Sequence, residues 1–287
     1  MTVDLALARR LVADQLAAAD PAAAAKELRV VASGWDNLIV RLGDTLVLRL
    51  PVREEAAQLV RNEARWLAEA VAPLHVPTPV PVFVGAPTDA YPWPWLVTRW
   101  IEGTVVTEIP VEQRGGLVAP LADALLALHR PAPADAPPNP YRGVPLAHRD
   151  TVIRARIRAW PDAAAALEAT WDRALAAPAW PGPPLWLHGD PHPANLLASG
   201  DRIAGLAGIL DFGDLTAGDP ANDLATAWWC FGAEDRARFR DRMDASGRYD
   251  AHVWTRAGGW AAAIASALPG TPLAAVGEHT VRALREG

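Results

Sequence analysis

Between residues 28 and 50 the chain reads "LRVVASGWDNLIVRLGDTLVLRL", three β-rich runs in which apolar and polar positions alternate, punctuated by "SGWD" and "GD" turns. Alternation with turn residues at that spacing predicts a three-stranded meander. Before it, residues 4–20 carry apolar positions at helical spacing, and Pro21 is expected to end that helix. After Pro51, "REEAAQLVRNEARWLAEAVA" again has helical periodicity, with Leu59, Val60 and Leu67 on one stripe. Glu63 lies in that stripe. An unpaired buried carboxylate is costly, so either Glu63 has a cationic partner or the helix is rotated enough to let it reach water. A proline-stiffened run, "HVPTPVPVFVG", and then "YPWPWLVTRWIEG" predict two more strands, the second closed by Gly103.

From about Pro110 onward helical patterns dominate. "GGLVAPLADALLALHR" places Leu117, Leu121, Leu125 and Leu128 on one face; further helices are expected around 150–160 and 162–177, and most of the chain from Asp219 to Glu286 is helical in pattern. The expected architecture is α+β and bilobal. A small strand-rich lobe with one embedded helix covers residues 1–98, and a larger, mainly helical lobe covers 99–287.

Composition narrows the classes. A chain of 287 residues with 51% hydrophobic residues can bury a large core. Its formal charge of −6 and the absence of any Lys/Arg cluster argue against a nucleic-acid surface. No run has the pattern of a signal peptide or the length of a membrane-crossing helix, so no membrane association is expected and a cytoplasmic location is. Cys230 is the single cysteine and follows "TAWW" in an apolar run, which predicts a buried small hydrophobe rather than a nucleophile. Of the 27 basic residues only Lys26 is a lysine.

The chemistry concentrates in "LWLHGDPHPANLL". A short apolar run breaks at His188 and Gly189, and Asp190 then opens a loop kept out of helix by Pro191 and Pro193. Asn195 lies five residues on. A second apolar run, "GLAGIL", ends in "DFGD", which puts Asp211 just past another strand. Asp and Asn oxygens are the hard ligands Mg²⁺ prefers, and a further carboxylate can orient a hydroxyl or take its proton. Phosphoryl transfer needs that set. His188 and His192 are four apart, as in a zinc-protease helix, but the motif's glutamate is absent and the prolines forbid the helix.

"HGDPHPAN" followed by "ILDFGD" resembles the catalytic loop and metal segment of the aminoglycoside phosphotransferase family, relatives of the protein kinases with their H-R-D-x-x-x-x-N and D-F-G motifs. The order of β-rich lobe, hinge and helical lobe extends the resemblance over nearly the whole chain. It implies a protein-kinase-like fold, with Asp190 as the catalytic aspartate, His192 near the transferring phosphate, and Asn195 and Asp211 as holders of Mg²⁺. It also implies that Asp219 and Asp223 brace the catalytic loop, with helix capping the alternative for Asp219. A third-strand cation held by a helix glutamate should meet the phosphates of ATP or GTP; Lys26 precedes the first strand, and the residue at that place is Arg49, with Glu63 its partner. Gly34 would lie in the loop over the phosphates, and the hinge at residues 97–101, including Val97, Thr98 and Trp100, would offer main-chain groups to the purine.

The activity so implied is transfer of a γ-phosphate to a hydroxyl of a small molecule, either an aminoglycoside- or macrolide-type antibiotic or a metabolic amino alcohol or sugar. The acidic balance permits a pocket for a polycation, and the tryptophans of the last third permit an apolar one, though such tryptophans are commonly core. A catalytically silent binding protein of the same fold would usually have lost Asp190, Asn195 or Asp211, and all three are present. The sequence sets no oligomeric state.

Overall fold

The computed structural model describes residues 3–34, 36–200 and 205–286. Trp35, within the "SGWD" turn, lies outside the described residues, as do Met1, Thr2, residues 201–204 and Gly287. The chain forms two compact units. One comprises the residues up to Ala72 with Pro77–Ile101 and Asp211–Gly213; the other comprises Pro73–Val76, Glu102–Leu210 and the residues from Asp214 onward.

In the first unit β1 (Leu28–Ser33), β2 (Asn37–Leu42), β3 (Leu46–Pro51), β4 (Pro81–Gly85) and β5 (Trp95–Arg99) form one antiparallel sheet in the order β1-β2-β3-β5-β4. The strand period of two sorts its side chains. Leu38, Val40 and Leu42 of β2 and Leu48 and Leu50 of β3 join Leu7, Leu11 and Leu16 of the N-terminal helical segment in one buried cluster. Val47 and Arg49 of β3 therefore face the other way. The N-terminal segment differs from its predicted form. It runs as Leu5–Leu11, a π-turn Val12–Leu16 and Ala17–Ala19, and leaves helical conformation at Asp20, the residue that the proline restricts. Pro21 begins a new short helix, Pro21–Ala24, where its missing N–H costs nothing and Asp20 caps the Ala23 N–H at 2.9 Å.

The second unit is helical around two small sheets, a pair of β7 (Leu185–Leu187) and β10 (Thr216–Gly218), and a three-stranded sheet in the order β6 (Thr104–Val105), β8 (Leu196–Ser199), β9 (Gly205–Ile209). The helix Val118–Leu128 buries Leu121, Leu125 and Leu128, as its periodicity predicts. The helices Pro161–Ala176, Val253–Ala265 and Ala274–Glu286 pack on one another. Trp228, Trp229 and Trp260 are core residues of this unit. Cys230 is fully buried, and burial pushes its thiol up to about 11, so it is inert as a nucleophile. No helix among the described residues is long and apolar enough to cross a membrane.

Candidate active site

In the first unit, Arg49 of β3 and Glu63 of the helix Glu54–Val71 form a buried ion pair, Nη1 to Oε2 at 2.5 Å, with Glu63 wholly inaccessible. Of the two ways to accommodate a glutamate on an apolar stripe, the chain uses the paired one. Arg49 Nη2 also lies 3.4 Å from Asp211 Oδ1. Burial works against the Arg49 charge, but Glu63 and Asp211 outweigh it and raise its pKa. Glu63 Oε1 is buried and has no hydrogen-bond partner among the described residues. Asp211 holds a left-handed backbone, φ 55°, and is the single non-glycine residue to do so among those described. That conformation costs about 1–2 kcal/mol, less for an Asp that bonds locally, and here Oδ1 accepts the Gly213 N–H at 3.3 Å.

The remaining first-unit candidates are placed less specifically. Gly34 ends the β1 side of the meander turn and donates its N–H to Asn37 O at 3.0 Å; a Cβ there would find ordinary contact. Val97 and Thr98 lie inside β5 with ladder partners in β3 and β4 on either side. The Trp100 N–H donates to Thr45 O at 2.8 Å, and its ring lies under Arg41, whose Cζ is 4.1 Å from the centroid.

In the second unit, β7 delivers the chain into His188, Gly189 and Asp190, and one carboxylate organises that turn. Asp223, fully buried, accepts the N–H of His188 (2.8 Å) and of Gly189 (2.9 Å), with Asn222 Nδ2 (3.1 Å) and His129 Nε2 (3.3 Å) on the same oxygens. Burial alone would raise its pKa, but these donors and the nearby His188 lower it below the usual carboxylate range. Asn222 Nδ2 also donates to Gly189 O at 2.7 Å. Gly189 has φ 91°, and a Cβ on it would meet Asp214 O at 2.4 Å, so no other residue fits there.

The two histidines have defined tautomers. His188 Nδ1 accepts the Asp190 N–H (3.1 Å), so its Nε2 carries the proton and donates to Leu210 O (2.8 Å). His192 Nδ1 accepts the Ala194 N–H (3.1 Å), which leaves Nε2–H toward Asp190 Oδ2 at 3.6 Å. Asp190 Oδ2 also lies 3.3 Å from Arg142 Nη2. Burial pushes the Asp190 carboxyl up, but Arg142, then His192 and His188, pull it below its ordinary value, so it is ionised at neutral pH. Its Oδ1 is buried with no partner among the described residues. An ionised carboxylate with one oxygen held and the other unengaged can accept a proton from an incoming hydroxyl.

Asn195 donates from Nδ2 to Asp190 O at 3.0 Å, which fixes the amide and leaves Oδ1 as an acceptor. The N–H of Leu210, the residue before Asp211, donates to Asn195 O at 2.8 Å. No group of three or more metal-ligating His, Cys, Asp or Glu side chains occurs among the described residues. An amide oxygen and a carboxylate suit Mg²⁺, which usually keeps waters and phosphate oxygens as its other ligands.

Periodicity gave no sign of Arg142. It comes from the irregular "NPYRGVP" segment and bridges Asp190 to Asp214, its Nε 3.1 Å from Asp214 Oδ2. Of the two roles open to Asp219, bracing and capping, the structure has the second: it caps the Ala221 N–H at 3.0 Å, and it binds Arg256 (Nε to Oδ2, 2.6 Å). Bracing falls to Asp223 and Asn222.

Three comparisons place this arrangement. The solved structure of the GDP complex of wild-type aminoglycoside 2′-phosphotransferase-IIIa superposes with a TM-score of 0.70 at 17% identity, covering 97% of each chain. Macrolide 2′-phosphotransferase type I superposes at 0.63 with 23% identity, covering 100% of this chain and 98% of that one. The macrolide 2′-phosphotransferase MphH of Brachybacterium faecium does so at 0.60 with 21% identity, covering 95% and 96%. These likenesses establish a kinase-like fold. Among curated sequences, the uncharacterized protein YcbJ of Bacillus subtilis (strain 168) is 31% identical over 77 residues, which is 27% of this chain and 24% of YcbJ, so the match spans about a quarter of that relative. The model of the APH phosphotransferase enzyme family matches residues 27–263, most of the length and both the "HGDPHPAN" and "ILDFGD" segments, and the chain belongs to that family.

Proposed function

We propose that the chain transfers the γ-phosphate of ATP or GTP to a hydroxyl of a small molecule. The observation that carries this reading is Asp190: ionised, held on Oδ2 by Arg142, unengaged on buried Oδ1, and lining a cavity of about 530 Å³ in the second unit. The acceptor O–H would lie against the exposed edge of this carboxylate. As its oxygen bonds to the γ-phosphorus and the bond to the nucleoside diphosphate breaks, the proton passes to the carboxylate. His192 Nε2–H, beside Asp190, is the donor available to a phosphate oxygen there.

Arg49, kept charged by Glu63, supplies the cation for the nucleotide phosphates, a planar fork where kinases commonly use a lysine. Asn195 Oδ1 and Asp211 would hold Mg²⁺, which when bound neutralises phosphate oxygens. The purine would read main-chain groups at the end of β5 from Trp100 onward, since the sheet already engages Val97 and Thr98. Gly34 would lie over the phosphates. The likeness to aminoglycoside and macrolide 2′-phosphotransferases supports an antibiotic acceptor, and a metabolic hydroxyl compound fits the same chemistry. A coupled assay of nucleoside diphosphate release, with ATP and GTP separately, Mg²⁺ present and a panel of hydroxyl acceptors, tests the reading. Acceptor-dependent release is expected; nucleotide binding without release under any condition would favour a silent binding protein.

A further inference from the structure

The cavity beside Asp190 carries a charge opposite to that of the chain. The protein has a formal charge of −6, yet the ionised side chains lining this cavity are three arginines, Arg142, Arg149 and Arg156, against two aspartates, Asp190 and Asp214. Arg142 is engaged by both aspartates. Neither Arg149 nor Arg156 has a carboxylate partner among the described residues. The charged neighbours that bear on Arg149 are Arg156 and Arg142, and burial together with their repulsion lowers its pKa. Two guanidinium groups at one rim with no anion is an arrangement that a bound anion would relieve.

The rim is also held in place. Arg149 lies over the Tyr141 ring, Cζ to centroid 4.9 Å. Tyr141 N–H donates to Asn139 Oδ1 (2.8 Å), and Asn139 Nδ2 donates to Asp214 Oδ1 (2.8 Å), which ties this segment to the aspartate that Arg142 also holds. The opposite lining is apolar, with Trp260, Ile264, Leu268 and Leu273. A cavity of this size suits a small ligand with an apolar body. A polycation would meet unbalanced arginines there.

Resting on the phosphotransferase reading, we infer that the acceptor is a small hydroxyl compound with one anionic group, which Arg149 and Arg156 bind, and an apolar body against the Trp260 wall. It is not an aminoglycoside-type polycation. The test measures nucleoside diphosphate release with 3-hydroxybutyrate, 3-phenyllactate and 3-hydroxydecanoate, each paired with its amide, and with kanamycin and erythromycin. The expected result is a kcat/KM at least about tenfold higher for an acid than for its amide. Arg149→Gln and Arg156→Gln should each raise KM for that acid about tenfold with kcat little changed, and leave the amide unaffected. The inference is overturned if kanamycin or erythromycin outperforms every acid, if both variants leave the acid KM unchanged, or if the acids are inert while nucleotide hydrolysis that depends on Asp190 persists. Absence of any Asp190-dependent turnover, with water or any acceptor, would instead remove the phosphotransferase reading and the inference with it.

Discussion

Replacing Asp223 with asparagine changes one atom and removes one charge, yet its consequences should be large. Each carboxylate oxygen has two donors around it: Gly189 N–H and Asn222 Nδ2 on Oδ1, His188 N–H and His129 Nε2 on Oδ2. An asparagine can present its oxygen to only one of these pairs. With the NH₂ toward His129, whose ring can switch tautomer and accept from it, the His188 N–H is still left facing a donor inside a fully buried site, so at least one hydrogen bond is lost and the orphaned donor does not reach water. At about 1–3 kcal/mol for a buried group left unsatisfied, the cost is at least about 1–3 kcal/mol. At roughly 2–4 °C per kcal/mol for a protein of this size class, Tm should fall by at least about 2 °C. The pH dependence has a definite sign. Asp223 is held below the usual carboxylate range in the folded state, so its stabilisation is present above the unfolded-state pKa and is lost as pH falls through the folded one. The gap between wild type and variant should therefore narrow in acid. Because the lost donors include an N–H of the turn that aims Asp190, kcat should fall about a hundredfold while the nucleotide Kd stays nearly constant. Thermal unfolding at two pH values and steady-state nucleoside diphosphate release measure both effects. A variant that unfolds within about 1 °C of wild type and keeps its kcat would refute the bracing role.

Glu63→Gln should raise the nucleotide KM about tenfold and destabilise the first unit by up to about 3–5 kcal/mol, because it leaves the buried Arg49 charge without its main partner; unchanged nucleotide kinetics would contradict that pairing's role. Arg142→Gln removes the cation that most depresses the Asp190 pKa and leaves only His192 and His188 to oppose burial, so the acid limb of the kcat/KM–pH profile should move to higher pH. An acid limb that stays put would separate Arg142 from the carboxylate's ionisation.

The strand-rich unit was legible because period two is a local signal, and β1, β2 and β3 occupy the runs where alternation places them. Glu63 was visible for the opposite reason: it breaks its own helix's pattern, and a broken pattern needs a partner. "HGDPHPAN" and "DFGD" could be read because their chemistry is packed into a few residues. What the sequence did not disclose depends on closure through space. Arg142 reaches Asp190 from 48 residues upstream and comes from a proline-rich segment with no period. Asn222 and His129 complete the Asp223 site from places that read as helix and helix end. Asp219 and Asp223 look alike in "GDPANDLA", and only the position of Arg256 on a later helix separates their roles. Pro21 reads as a stop, and the helix before it does end at Ala19, but with an aspartate ahead of it the same proline also begins the next helix.

The central claim is that Asp190 acts on the acceptor hydroxyl. Its most direct test is Asp190→Ala, assayed for acceptor-dependent release of nucleoside diphosphate alongside nucleotide binding. The predicted result is a kcat lower by about 10²–10⁴-fold with the nucleotide Kd little changed. A variant that turns over within about threefold of wild type would contradict the account.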